Sequence, residues 1–129
     1  FLDIFSEFNI AVVADDLAQE SRQFRTDVPS GIDPLEQLAQ QWQDFDGCPL
    51  ALNPDKPRGQ MLIDMTKKYN ADAVVVCMMR FCDPEEFDYP IYKPEFEAAG
   101  VRYTVLDLDI ESPSLEQLRT RIQAFSEIL

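Results

Sequence analysis

The residues best suited to chemistry lie in Cys77-Met-Met-Arg-Phe-Cys-Asp-Pro-Glu-Glu-Phe-Asp-Tyr-Pro90. Cys82 falls in the turn between an apolar run that reads as a strand and an Asp-Pro-x-Glu signal that opens a helix. Backbone N–H groups and the positive end of a helix favour a thiolate at such a place. The position suits a metal ligand or a reactive thiol, and a small residue fitting a tight turn accounts for it equally well. Cys77 continues the apolar strand, where free cysteine is a common core residue. Cys48, between Gly47 and Pro49, follows a helix and reads as turn packing. The Cys77–Cys82 spacing is no zinc or cluster pattern by itself. One thiolate cannot hold a four-iron cluster, so the other ligands of any such group lie outside this segment. The chain has no histidine, which excludes His-based acid–base catalysis and His ligation within it.

Two further sets of polar residues stand out. Asp15-Asp16 ends the first apolar run, either pointing carboxylates into a crevice or capping and solvating the turn. Paired acids there also mark the magnesium site of response-regulator receiver domains, but the second strand ends in Cys-Met-Met-Arg without the phospho-accepting Asp such a domain needs. Arg22, Arg25, Lys56 and Arg58 form the clearest basic group. Forked guanidinium hydrogen bonds could hold a phosphate or carboxylate; ordinary surface ion pairing is the plainer account of each residue taken singly. Arg22 is singled out because it follows the first strand's carboxyl end.

These residues need a frame, and strand–helix alternation supplies it. Ile10–Ala14, Ala73–Cys77 and Tyr103–Leu106 are unbroken apolar runs of the kind a parallel sheet covered on both faces requires. Asp33-Pro34-Leu35-Glu36 opens a helix with a capping Asp, a Pro at the first position and a Glu in the first turn. Leu35, Leu38, Ala39, Trp42 and Phe45 share its apolar face. Pro57 opens a second helix, with Met61, Leu62, Met65 and Tyr69 inward. Asp83-Pro84-Glu85-Glu86 opens a third, running through Phe96 to a stop at Gly100. Ser114-Leu-Glu-Gln117 caps a fourth, with Leu115, Leu118, Ile122 and Phe125 on one stripe. Phe1 to Phe8 reads as the tail of a helix, and residues 18–32 as an ordered loop. The expected architecture is α/β: a doubly wound, mainly parallel sheet of at least three strands in a flavodoxin-like or Rossmann-like three-layer arrangement. Ligands of open parallel sheets bind at the strands' carboxyl ends, where the loops 15–25, 78–86 and 107–113 converge.

The chain's 129 residues fit a single domain, with 46% hydrophobic and 27% charged residues. Eleven Lys and Arg against 24 Asp and Glu give a net charge of −13. That field repels nucleic-acid backbones and anionic lipid heads, so neither nucleic acid nor membrane is an expected partner. Three cysteines without framework spacing argue against a disulfide-stapled secreted domain, and the cytoplasm is the expected compartment. The chain begins at Phe1 rather than Met, as a segment of a longer polypeptide would.

At this point the sequence resembles a known family. Arg80-Phe-Cys-Asp-Pro-Glu-Glu-Phe-Asp-Tyr-Pro90 is similar to the Lys/Arg-Phe-Cys-Asp-Pro-Glu signature of the 2-hydroxyacyl-CoA (2-hydroxyglutaryl-CoA) dehydratase and benzoyl-CoA reductase family. Val13-Ala-Asp-Asp-Leu17 with Ser21-Arg22 and Phe24 resembles that family's first-strand motif. Asp33-Pro34-Leu35-Glu36 and Arg119-Thr-Arg-Ile-Gln-Ala-Phe125 follow in the right order. The resemblance runs from about Ile10 onward and implies that residues 1–129 are one C-terminal α/β domain of a longer iron–sulfur subunit, its N-terminal cluster-binding domain lying outside this sequence.

The resemblance further implies a [4Fe–4S] cluster held by three cysteines, of which Cys82 is the one in this segment. Asp16, Arg22, Phe81 and Asp83 become candidates for substrate binding or for the cluster's surroundings, and no catalytic residue is assigned. The implied partners are an acyl-CoA substrate, a second subunit of the same family and an ATP-dependent iron–sulfur activator that injects one low-potential electron. In the dehydratases that electron makes a ketyl radical of the thioester carbonyl, letting the unreactive 2-hydroxyl leave; in the reductases it enters an aromatic ring. No nucleotide is expected on this domain itself. Two alternatives are a non-catalytic iron–sulfur electron carrier on the same fold and a flavodoxin-like interaction module with a buried thiol.

Overall fold

The computed structural model describes residues 2–31, 33–51, 53–109 and 114–129. The elements in chain order are α1 (Asp3–Glu7), α2 (Ser21–Phe24), α3 (Pro34–Gln43), α4 (Arg58–Lys68), β1 (Val74–Met79), α5 (Asp83–Ala99), β2 (Tyr103–Leu108) and α6 (Leu115–Ser126). The helices start where local chemistry places them. Asp33 caps α3 by accepting the Leu35 N–H at 2.9 Å, and Ser114 caps α6 by accepting the Gln117 N–H at 3.4 Å. Gly100 ends α5 in the left-handed region, φ 69°, a conformation glycine adopts without a Cβ penalty. The α5 start lies one residue earlier than its Asp-Pro signal suggests: Cys82 occupies the cap position and Asp83 the first turn.

β1 and β2 pair in parallel, Val74 opposite Tyr103 through Met79 opposite Leu108. Alternate strand residues face opposite sides, and a core cluster forms on each. On one face Ile4, Phe5, Leu106, Leu118 and Ile122 pack together, with Val75 and Leu108 against them. On the other Ile63, Tyr92 and Phe96 pack with Val74, Val76 and Tyr103. Helices therefore cover both faces of a parallel β–α–β unit, which is an α/β arrangement. Gly59 lets α4 and α5 approach closely, since a Cβ there would lie 2.7 Å from the Tyr92 Cβ. Pro90 and Pro94 sit inside α5; lacking N–H groups, they leave the carbonyls of Glu86 and Pro90 without a helical partner.

Three expectations differ from the structure. Among the described residues the sheet has two strands, and Ile10–Ala14 carries no ladder. This segment is held at its start by the Ile10 N–H donating to the Phe5 carbonyl at 3.0 Å. It borders β1 across a groove of about 720 Å³ lined by Val12, Val13, Val74, Val76 and Cys77. The apolar run specified an extended segment, whereas backbone pairing needs a register that the run alone does not supply. Second, α3 buries none of its residues, and Leu35, Leu38 and Trp42 are exposed; helical spacing marks an apolar face without saying what covers it. Third, α4 turns Ile63 and Gly59 into the core, leaving Tyr69 at the surface. The expected 107–113 loop lies partly outside the described residues.

Candidate functional site

Cys82 is half-buried at the N-terminus of α5. Its N–H donates to the Met79 carbonyl at 3.1 Å, and its own carbonyl accepts the Glu86 N–H at 3.0 Å. Its side chain makes no capping hydrogen bond, which leaves the sulfur uncommitted to the helix end. Phe81 before it has φ 66° and is 92% exposed. A bulky residue in the left-handed region costs about 1–3 kcal/mol and persists only where the surroundings hold it. Here the hold includes the Glu86 carboxylate, which accepts the Phe81 N–H at 3.3 Å. Asp83 is exposed in the first turn.

The other candidates meet in a buried ion network beside this turn. Asp16, its side chain 8% exposed, takes Arg22 at 3.2 Å, Arg25 at 2.6 Å and Arg58 at 3.1 Å. Arg22, 6% exposed, also donates to the Asp16 carbonyl at 2.6 Å and pairs with Glu85 at 3.0 Å. Arg58 pairs with Glu85 as well and lies 5.6 Å from the centre of the Tyr92 ring. Burial works to lower the Arg22 pKa, but the charge of Asp16, then that of Glu85, and the hydrogen bonds to both raise it instead. Asp15 braces the same loop by accepting the N–H groups of Leu17 and Ser21, each at 3.1 Å. Burial alone would raise its carboxyl pKa, and those hydrogen bonds bring it below the ordinary value.

The network joins two of the three loops expected to converge. Glu85 is the third helical residue after Cys82, so Arg22 and Arg58 fix the turn that carries the cysteine and offset one of its three first-turn carboxylates, Asp83, Glu85 and Glu86. The four basic residues read from the sequence all bind the chain's own carboxylates, Lys56 reaching buried Asp88 at 2.9 Å. Their plainer reading, ion pairing, is the observed one, though the pairs are largely buried. Sequence reading did not bring Glu85 and Asp88 to them, because the partners lie 63 and 32 residues from Arg22 and Lys56. On the third loop, Arg80 pairs with Asp109 at 3.6 Å.

The other cysteines lie elsewhere. Cys77 sits on β1 against the groove, and burial pushes its thiol up to about 11. Cys48 follows Gly47, whose turn is held by Arg25 donating to the Asp46 carbonyl at 3.0 Å. Among the described residues no three His, Cys, Asp or Glu side chains group as a metal site. Cys82 fits a metal or cluster as a single uncommitted sulfur, with the remaining ligands supplied from elsewhere. No helix among the described residues is long and apolar enough to cross a membrane.

Comparison with known proteins adds what geometry does not carry. The chain is 54% identical over 129 residues to lactoyl-CoA dehydratase subunit beta of Anaerotignum propionicum, covering 99% of this chain and 34% of that protein. It is 45% identical over 128 residues to the (R)-phenyllactyl-CoA dehydratase beta subunit of Clostridium sporogenes, with the same coverage of both chains. It is 32% identical over 132 residues to (R)-2-hydroxyglutaryl-CoA dehydratase subunit beta of Acidaminococcus fermentans, covering 99% of this chain and 35% of that protein. The chain thus spans about a third of the length of the curated relatives it matches. The family model described as 2-hydroxyglutaryl-CoA dehydratase, D-component, matches residues 1–129, and the chain belongs to that family.

Proposed function

We propose that this chain is part of the beta subunit of a 2-hydroxyacyl-CoA dehydratase, contributing Cys82 as one ligand of a [4Fe–4S] cluster and forming its C-terminal domain. The observation that carries the reading is the uncommitted Cys82 sulfur at the head of α5, in a chain matched along 99% of its length by dehydratase beta subunits. Dehydration is favoured over ring reduction because all three relatives bear dehydratase names. When bound, such a cluster supplies one-electron transfer at low potential and an open iron acting as a Lewis acid.

The chain's own residues do the positioning. Arg22 and Arg58 hold Glu85 and with it the first turn of α5, so the Cys82 sulfur is presented at a fixed place. Arg22 is spent on Asp16 and Glu85, which favours a role in shaping the surroundings over direct contact with substrate. Phe81 sets an apolar ring outward beside the sulfur, where it would exclude water once the rest of the enzyme closes over it. Asp83 adds an exposed carboxylate at the same rim. An acyl-CoA substrate, a second subunit and an ATP-dependent activator complete the reading. In it a single electron turns the thioester carbonyl into a ketyl radical and the 2-hydroxyl departs. We also propose that Ile10–Ala14 forms a third parallel strand beside β1, completing the doubly wound, flavodoxin-like sheet; its apolar side chains already line the groove there.

Iron and sulfide content with EPR on the anaerobically prepared full-length subunit and its Cys82→Ala variant test the assignment. A four-iron signal lost or remodelled in the variant is expected. Equal iron in both would return Cys82 to turn packing, and none in either would favour an interaction module.

A further inference from the structure

We infer that Glu86 is a positioning residue for Cys82, its carboxylate holding Phe81 in the left-handed region and thereby setting the direction of the sulfur. The inference rests on the reading of Cys82 as a cluster ligand. The Cys82 N–H reaches back to the Met79 carbonyl at 3.1 Å, closing a turn in which Phe81 stands third, at φ 66°. Glycine or asparagine ordinarily fills that place, because a bulkier side chain there strains the backbone. Packing offers Phe81 little in return, since the residue is 92% exposed. A hold comes instead through its N–H, which donates to the Glu86 carboxylate at 3.3 Å.

The helix explains why Glu86 can reach. Side chains on a helix tilt toward its N-terminus, and a first-turn glutamate can accept an N–H from the chain just before it. Glu86 lies in the first turn of α5, and its own N–H donates to the Cys82 carbonyl at 3.0 Å. Main chain and side chain of one residue thus tie both Cys82 and the residue before it. The neighbouring Glu85 is engaged by Arg22 and Arg58, whereas among the described residues no Lys or Arg pairs with Glu86. The adjacent carboxylates therefore divide the work: Glu85 anchors the helix to the arginines, and Glu86 shapes the turn. The φ of Phe81 fixes the direction in which the chain enters Cys82, and with it the Cα–Cβ bond that carries the sulfur. Relaxation of Phe81 to negative φ would re-aim that bond.

Two conservative variants of the full-length subunit, prepared anaerobically, separate reach from charge. Glu86→Gln keeps the length and an accepting oxygen but loses the charge. Glu86→Asp keeps the charge but is one methylene shorter, across a contact already at 3.3 Å. The readouts are loss of cluster iron to a chelator and the EPR spectrum of the reduced cluster. Glu86→Gln is expected to match the parent in both, while Glu86→Asp should release iron ~10-fold faster with an altered spectrum. The reverse pattern would overturn the inference in favour of a charge effect. Two variants that both match the parent would overturn it outright, and two impaired alike would reduce Glu86 to a support of the helix start. Hydrogen exchange at the Phe81 amide of the metal-free subunit tests the bond itself, with protection expected in the parent and Glu86→Gln and lost in Glu86→Asp. An amide unprotected in the parent would overturn the inference whatever the iron shows. These failures leave the ligand reading standing as long as the iron is lost in Cys82→Ala; iron indifferent to that change, or none in the parent, would sink both.

Discussion

Asp16 is the most sensitive point of the buried network, more so than any arginine it holds. Asp16→Asn keeps the shape and removes the charge that three guanidinium groups share. Arg22 and Arg58 would then share Glu85 as their one carboxylate, Arg22 still donating to the backbone carbonyl of residue 16, and Arg25 would keep the Asp46 carbonyl. Removing one partner of a buried ion pair costs about 3–5 kcal/mol because the remaining charge stays desolvated. Arg22→Met behaves differently. Asp16 keeps Arg25 and Arg58, Glu85 keeps Arg58, and the loss reduces to charge-assisted hydrogen bonds of about 1.5–3 kcal/mol. Urea unfolding with matched slopes should therefore rank Asp16→Asn below Arg22→Met by roughly 2 kcal/mol. For a chain of this size that gap is a melting difference on the order of 5–10 °C. High salt should barely alter the ranking, since buried pairs are weakly screened. An Arg22→Met protein as unstable as Asp16→Asn would refute the shared-carboxylate reasoning.

Three further outcomes are expected. Gly59→Ala should destabilise by about 1–3 kcal/mol despite alanine's better helix propensity, because its methyl would press on Tyr92 and Glu95; a denaturation midpoint at or above the parent's would contradict it. Phe81→Gly should raise stability by up to about 1 kcal/mol by releasing the left-handed backbone, while lowering iron retention in the full-length subunit; lower stability with unchanged iron would reverse the assignment. Cys77, raised to about 11 by burial, should alkylate at pH 8 at least ~10-fold more slowly than a free cysteine of ordinary pKa. The neutral thiol is the form the fold prefers, so its contribution is full below the ordinary thiol value and is lost as pH rises through about 11. Alkylation at the free-thiol rate in the folded protein would show that Cys77 is not desolvated.

What the sequence disclosed divides by range. Helix starts at 33–36, 57, 83–86 and 114–117 were legible because a cap is decided by neighbours within one turn. The β1 and β2 runs were legible because continuous apolar, β-branched stretches suit little else than a strand covered on both sides. Ile10–Ala14 has the same composition, yet strand status is a property of a pair, and no residue in the run names its register. Asp16 and Arg22 stood out through their place after an apolar run. Their partner Glu85 did not, and Arg58 stood out only as one of a basic group, since nothing local announces an ion pair 63 or 42 residues away. The face of α3 was legible as apolar, but helical spacing does not say what, if anything, packs on it.

The two internal prolines of α5 give that helix a mechanical character. Its first turn is tethered to the arginine network, and its last third is locked by Phe96 stacking 5.2 Å from Tyr92 and 5.7 Å from Tyr103. Between them two backbone rungs are missing, and side chains take their place: Asp88 is held by Lys56 at 2.9 Å, and Tyr92 is buried in the core cluster. The place of Cys82 therefore depends on how the middle of α5 packs as well as on the arginines at its head, so a change to the core beneath Tyr92 would be felt at the sulfur.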